Sequence, residues 1–290
     1  MRFNVSSHLD YSVAFPSTLI LSIHAQRNSS QRILKEEFSV KPGAKAEEFL
    51  LENGENRFIR LQTGRLKRFS VDYSATVECT PQVVSARSMD QTPISEMDRN
   101  AIPFLFPSRY CQSDRLGRLA WDLFGKIANP YEKVIAIVDW INKNVEYLPG
   151  STNSETSAYD TVTQRAGVCR DFAHLGIALC RALNIPSRYF SGYAYKLAPP
   201  DFHACFESYV GGHWLMFDAT RLVPLNGLVR IGTGRDAAEA SVASIFGQVQ
   251  LTSMKVECNL APGQNFAPLG RKQLGSRGIS LENGHATSAN

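Results

Sequence analysis

The spacing of apolar residues changes once along this chain, and that change bounds what it can fold into. Over the first 90 residues the rhythm is short and two-fold: Phe3-Asn4-Val5, Tyr11-Ser12-Val13, Leu19–His24, Arg32–Val40, Glu48–Glu52, Arg57–Thr63 and Lys67–Val77. Turn formers interrupt it at Lys41-Pro42-Gly43, Glu52-Asn53-Gly54-Glu55-Asn56 and Thr63-Gly64. Short alternating runs between such breaks, with no convincing helix among them, predict a small antiparallel β-sandwich over residues 1–90.

Between Thr80 and Pro107 the pattern dissolves into polar and proline-containing sequence, and a linker is expected at 91–104. The period then becomes helical. Asp114–Ile127 carries Leu116, Leu119, Trp121, Leu123 and Phe124 on one broad face. The next helix opens with Asn129 as cap, Pro130 at the first helical position and Glu132 three residues past the cap. A third spans Cys169 to Leu183, where Asn184 can end it and Pro186 forbids continuation. Strands are expected at Ser187–Tyr195, Ala204–Val210, Trp214–Asp218 and Gln248–Cys258. Helices followed by an antiparallel sheet predict an α+β core over 105–262. Residues 263–290 are poor in apolar side chains and are expected to be a flexible tail.

Composition removes several classes. With 43% hydrophobic residues in 290, the chain is neither collagen-like nor wholly disordered. No apolar run approaches the ~20 residues of a spanning helix, so no membrane partner is expected. The opening MRFNVSSHLDYSV lacks the continuous apolar stretch of a secretory signal. Net charge is +4, spread along the chain without a basic stripe, so nucleic acid is not expected either. The six cysteines are scattered, with no CxxC pair. Free thiols in a reducing, cytoplasmic setting are the expectation.

Three segments carry chemistry: Arg165-Ala-Gly-Val-Cys-Arg-Asp-Phe-Ala-His174, Asp201-Phe-His-Ala-Cys205 and Trp214-Leu-Met-Phe-Asp-Ala-Thr220. An ordinary thiol titrates near ~8.5 and is mostly unreactive at neutral pH. The unpaired N–H groups and dipole of a helix start favour a thiolate, and a nearby imidazole can take the proton. Cys169 is placed for the first effect, with Gly167 easing the turn before it and Asp171 suited to the same first turn. Gly211-Gly212 signals a two-residue hairpin. Folding the strands about it sets Val210 opposite His213, Glu207 opposite Met216 and Cys205 opposite Asp218. His203, Cys205, Glu207, Met216, Asp218 and Thr220 then share one face, with Asp218 diagonal to His203 and within side-chain reach. A carboxylate there can fix the imidazole tautomer. The cysteine helix is expected to dock against that face.

Gly-Val-Cys-Arg-Asp-Phe-Ala-His, Ile185-Pro-Ser-Arg-Tyr189, Gly192-Tyr193, the His203-Ala204 segment and Gly-Gly-His-Trp…Phe-Asp-Ala-Thr resemble the bacterial transglutaminase-like superfamily. The likeness is specific from Ser157 to Thr220, and the β-rich first domain is similar to the N-terminal region common in that group. The resemblance implies a papain-like α+β core and a Cys-His-Asp triad at Cys169, His203 and Asp218. It implies attack on amide carbonyls, as transglutaminase, peptidase or amidase. Two positions depart from the family pattern: Cys205 stands where Trp is frequent, and Ala219 where Pro is frequent. Both bear on pocket shape and substrate choice.

On this reading a peptide or protein carboxamide forms a thioester on Cys169, with no cofactor. Cys205, Glu207 and Tyr193 are candidates to line the substrate pocket. The backbone N–H of Cys169 is one oxyanion donor; Trp140, Tyr147 and Tyr159 lie upstream, and spacing selects none of them as the second. Plainer roles suit other residues: His174 and Cys180 as packed core, Trp121 and Trp140 as helix packing. A metal held by Cys169, His203 and Asp218 is disfavoured because no close ligand pair is present. A non-catalytic scaffold that retains the fold is the competing function. Oligomeric state is left open.

Overall fold

Alternation in Arg2–Val13 (β1) buries Phe3, Val5, Leu9, Tyr11 and Val13 on one face. In the computed structural model, which describes residues 1–51, 54–85 and 91–282, six further strands follow. They are β2 (Thr18–Leu21), β3 (Gln31–Lys41), β4 (Lys45–Leu50), β5 (Arg57–Gln62), β6 (Arg68–Cys79) and β7 (Gln82–Ser85). Val71, Tyr73 and Val77 of β6 meet β1's inner residues, and Leu19, Leu21, Ile59 and Leu61 of β2 and β5 close the same core from the other side. This is the sandwich the alternation predicts, two packed antiparallel sheets.

The second half holds α1 (Ser113–Phe124), α2 (Pro130–Asn144), β8 (Glu146–Tyr147), α3 (Ala158–Gln164), β9 (Ala166–Gly167) and α4 (Cys169–Ala182). After them come β10 (Ser187–Ala194), β11 (Phe202–Val210), β12 (His213–Phe217), β13 (Leu228–Gly234), α5 (Ala237–Ala240), β14 (Ala243–Phe246), β15 (Val249–Leu260), α6 (Arg271–Leu274) and β16 (Arg277–Ser280). Strand order β12-β11-β10-β13 forms the core sheet, with α4 packed on it. At the start of α2 the Asn129 side chain accepts the Glu132 N–H at 3.0 Å, as the cap pattern requires.

Several boundaries differ from expectation. The strand expected at 248–258 within the core belongs to the sandwich. β15 pairs along β1 from Phe3↔Leu260 to Val13↔Val249, and β14 pairs with β2. The sandwich is therefore not residues 1–90 alone, nor the core an unbroken 105–262. With β6 on one side, β1 presents its other ladder edge, and β15 satisfies it. As an exposed edge strand β15 has almost no inward alternation, which is the signal that would have assigned it.

The flexible tail expected at 263–290 is also corrected through residue 282. β16 pairs with β7, and Leu274, Ile279 and Leu281 pack on Phe190, Cys205 and Met216. Residues 283–290 lie outside the described residues, as do 86–90 and the expected turn positions Glu52 and Asn53. The segment 91–104 contains a 3-10 turn at Ile94–Glu96 and runs into another at Ile102–Leu105. α1 stops at Phe124 rather than Ile127 and buries the narrower stripe Leu116, Ala120 and Phe124. Trp121 lies outside that stripe at 51% exposure, its indole N–H donating to the Ala182 carbonyl at 3.1 Å.

Candidate active site

Gly211 and Gly212 both adopt positive φ, 58° and 80°, the backbone a tight two-residue hairpin needs. The register follows as expected, with Val210↔His213, Glu207↔Met216 and Phe206↔Phe217. Asp218 is the first residue past β12. Its Oδ1 accepts the Thr220 N–H at 2.9 Å and hydroxyl at 2.7 Å. Its Oδ2 lies 3.0 Å from His203 Nε2. Both side chains are buried.

Burial by itself lowers the basicity of His203. The Asp218 carboxylate outweighs that cost and, with a smaller contribution from Cys169, carries the imidazole up to about 10. Asp218 is held below the usual carboxylate range: burial opposes ionisation, and His203 with the two Thr220 donors overcomes it. The remaining imidazole nitrogen, Nδ1, is buried without a hydrogen bond. The Cys169 side chain is the neighbour that interacts with this ring from the helix.

Cys169 is half-buried and is the first residue of α4. Buried Asp171 anchors that helix start: its Oδ2 accepts the Val168 N–H at 2.9 Å and the Thr152 hydroxyl at 2.8 Å. Gly167 serves packing here and not a left-handed turn, because a Cβ on it would lie 2.8 Å from the Asp171 Cβ. The helix docks on the face opposite to the expected one. Ala204, Phe206, Leu215 and Phe217 pack with Phe172, Leu175 and Leu179, whereas Cys205 and Met216 face the C-terminal segment. Cys169 meets His203 where β12 has already ended and no longer flanks β11.

A parallel β8–β9 pair sets Tyr147 beside Gly167, and the Leu148 N–H donates to the Gly167 carbonyl at 3.0 Å. The Tyr147 ring rests on Phe172 with centroids 5.8 Å apart. Its hydroxyl reaches the backbone N–H and the thiol of Cys169. Burial first, then the neighbouring sulfur, push this phenol up to about 12. Of the three aromatic side chains left open by the sequence, this is the one brought to the cysteine. Trp140 packs edge-on to Phe124, and Tyr159 lies under the Arg115 guanidinium. No local pattern marks Tyr147, since its place depends on a strand pair formed across α3.

The pocket-lining role expected of Cys205, Glu207 and Tyr193 is corrected. Cys205 is 1% exposed, with its sulfur 3.3 Å from that of Met216. Glu207 is fully buried between Arg188, at 2.7 Å, and Arg230. The buried Tyr193 hydroxyl donates to the Ile23 carbonyl at 2.7 Å, tying the core to the sandwich. Alternation put Cys205 and Met216 on one face, but the C-terminal segment covers that face in place of the cysteine helix, and the sandwich covers Tyr193. His174 is packed, as its position on the helix suggests. Its Nε2 accepts the Ala237 N–H at 3.1 Å, its ring stacks on Tyr110, and burial lowers it to about 3.

A helix-start cysteine beside a strand histidine with its own carboxylate, on an α+β core behind a β-sandwich, defines a papain-like transglutaminase fold. Residues 1–100 match the family described as bacterial transglutaminase, N-terminal domain, and residues 118–219 match the transglutaminase-like superfamily. A proposed cysteine protease from Cytophaga hutchinsonii, known from its crystal structure, is 56% identical over 97% of both chains, with a TM-score of 0.94. An uncharacterized protein of Mycobacterium leprae is 33% identical over 121 residues, which is 39% of this chain and 43% of that one. The chain thus spans less than half the length of this curated relative. The protein belongs to the bacterial transglutaminase-like superfamily.

Proposed function

We propose that the protein is a cysteine-nucleophile acyl-transfer enzyme, a transglutaminase-like peptidase or amidase acting on peptide or carboxamide bonds. The observation that carries this reading is the pairing of His203 with Asp218 at 3.0 Å, with Cys169 beside the same ring. Asp218 holds Nε2 protonated and leaves Nδ1 to exchange a proton with the sulfur. Cys169 attacks the carbonyl carbon while its proton resides on His203, giving a tetrahedral oxyanion. Collapse expels the amine, which leaves with that proton, and a thioester remains. Water then attacks, giving a proton to His203 that returns to the sulfur as the acid departs.

The oxyanion is served by the Cys169 N–H and the Tyr147 hydroxyl. The two meet each other in the unliganded site, and the phenol stays protonated at neutral pH. Supporting a cysteine-protease chemistry is the similarity to the Cytophaga protein over nearly the whole chain. All six cysteines are unpaired, which fits work in a reducing compartment such as the cytoplasm. No helix among the described residues is long and apolar enough to cross a membrane.

The test is a peptide library incubated with the protein and an amine probe, with products read by mass spectrometry. Wild type releases new carboxyl termini, and C169A lowers the rate at least about a thousand-fold. A C169A protein that cleaves as fast as wild type overturns the proposal. Amine incorporation in place of hydrolysis would retain the nucleophile and replace water as acceptor.

A further inference from the structure

Asp171, two residues past the cysteine, is a fully buried carboxylate. Capping α4 occupies one of its oxygens with the Val168 N–H, 2.9 Å from Oδ2. That oxygen also accepts the Thr152 hydroxyl at 2.8 Å, and Oδ1 takes the Arg170 guanidinium at 3.1 and 3.3 Å. Arg170 in turn donates to the Asn153 carbonyl. Both contacts that leave the helix therefore end on Thr152-Asn153, in the loop that joins β8 to α3. Residues 148–157 of that loop are neither helix nor strand, and 148–150 are exposed. A segment of that kind keeps one conformation only where specific contacts hold it. Its near end is tied by the Leu148 N–H to the Gly167 carbonyl at 3.0 Å, and its far end by the Tyr110 hydroxyl to the Ser154 carbonyl at 2.8 Å. Asp171 fastens the middle, and to the same turn that holds the near end: a Cβ on Gly167 would lie 2.8 Å from the Asp171 Cβ.

A closed circuit results, from Gly167 across to Leu148, along the loop to Thr152, and back through Asp171 to Gly167. Cys169 lies on this circuit. Tyr147 stands at its corner, its backbone paired with Gly167 and its ring 5.8 Å from that of Phe172. We propose that Asp171 is a positioning residue: by fastening Thr152 it holds the loop, and through the loop the Tyr147 hydroxyl, in place beside the Cys169 N–H, so that both donors meet one oxyanion. The inference rests on the acyl-transfer reading of Cys169 and adds to it the group that keeps the oxyanion donors together. Asp171 commits its oxygens to these donors and takes no part in the chemistry itself.

Two reagents separate the donors from the nucleophile. Iodoacetamide alkylates a sulfur without building charge on oxygen. p-Nitrophenyl acetate acylates it with negative charge developing on the carbonyl oxygen, p-nitrophenolate leaving and a thioester remaining. Both modifications are mapped at Cys169 by mass spectrometry. Wild type is expected to favour acylation over alkylation by about a hundred-fold relative to free cysteine. T152V, which removes the hydroxyl and keeps the shape, is expected to slow acylation about ten-fold, with alkylation and its pH profile within about two-fold of wild type. T152S restores acylation. Y147F also slows acylation, and T152V on that background adds nothing, because the fastening acts through the phenol. A T152V protein that loses acylation and alkylation in the same proportion, or loses neither, overturns the positioning role, as does an additive double variant. A wild type with the acylation-to-alkylation ratio of free cysteine overturns the acyl-transfer reading, and the positioning role with it. A high wild-type ratio that T152V leaves intact overturns the positioning role alone.

Discussion

Gly176, in the middle of α4, lies against the ring of Phe206 in β11 so closely that a Cβ on the glycine would stand 2.5 Å from a ring carbon. This contact sets the height at which the helix rests on the sheet, and so the height at which Cys169 approaches His203. Gly176→Ala must push Phe206 or the helix aside, at a cost of about 1–3 kcal/mol for overpacking. The expected outcome is a Tm lower by about 2–10 °C together with slower iodoacetamide labelling of Cys169 in the folded protein. A variant that melts and labels like wild type would show that the helix has slack the structure does not suggest.

Asp218→Asn keeps the shape of the carboxyl group and removes its charge. His203 is raised from an ordinary 6.5 to about 10 in the folded protein, against the lowering effect of burial, chiefly by that charge. A raised imidazole contributes stability that is complete below 6.5 and declines as pH climbs toward 10. Wild type should therefore lose stability between about pH 6.5 and 8.5, before thiols and phenols titrate. The variant should be less stable at pH 6, with a flatter profile. Urea midpoints at pH 6, 7, 8 and 8.5 measure this; parallel profiles would remove the ion pair from the account.

His174 and His24 work in the other direction. Burial lowers them to about 3 and about 4, so both fold as neutral rings. Their contribution is complete above 6.5 and is lost as pH falls from there toward 3 or 4, where the unfolded chain takes up protons first. His174→Phe keeps the aromatic packing and should reduce the acid sensitivity. It also leaves the Ala237 N–H without its acceptor, costing about 1–3 kcal/mol at pH 7. Thermal unfolding at pH 4.5, 5.5 and 7 is the measurement, and a variant with undiminished acid sensitivity contradicts the assignment.

Glu207 was a candidate for contact with substrate, and the structure makes it a buried counter-ion. Glu207→Gln leaves Arg188 and Arg230 with Glu282 as their remaining carboxylate partner. A loss of about 3 kcal/mol is expected, seen as a shifted urea midpoint. The kcat/KM per folded molecule on different peptides should keep its ranking. A change in that ranking at unchanged stability would return Glu207 to the substrate pocket.

A fragment of residues 1–90 lacks β14 and β15, which complete both sheets of the sandwich. With the edge of β1 open, it should remain unfolded or aggregate, read by circular dichroism and gel filtration. Supplying a peptide of residues 243–260 should restore structure. A soluble, cooperatively melting fragment without that peptide would mean that β15 is an accessory to the sandwich.

Much of the local design was legible in the order of residues. The alternation of β1 and β6, the Asn129 cap, the hairpin register at Gly211-Gly212 and the His203–Asp218 diagonal all follow from rules that act over a few residues. Such rules could not assign β15, whose partner is far away in the chain and whose exposed side chains leave no periodic trace. They also could not decide which face of the hairpin receives α4. Side-chain alternation separates Cys205 and Met216 from Phe206 and Phe217 but does not say what covers each set. Tyr147 comes beside the start of the cysteine helix through a strand pair formed across α3. The sequence by itself determined the chemical groups and their local geometry. Tertiary structure decided their neighbours, because burial and charge pairing depend on the other segments packed around a group.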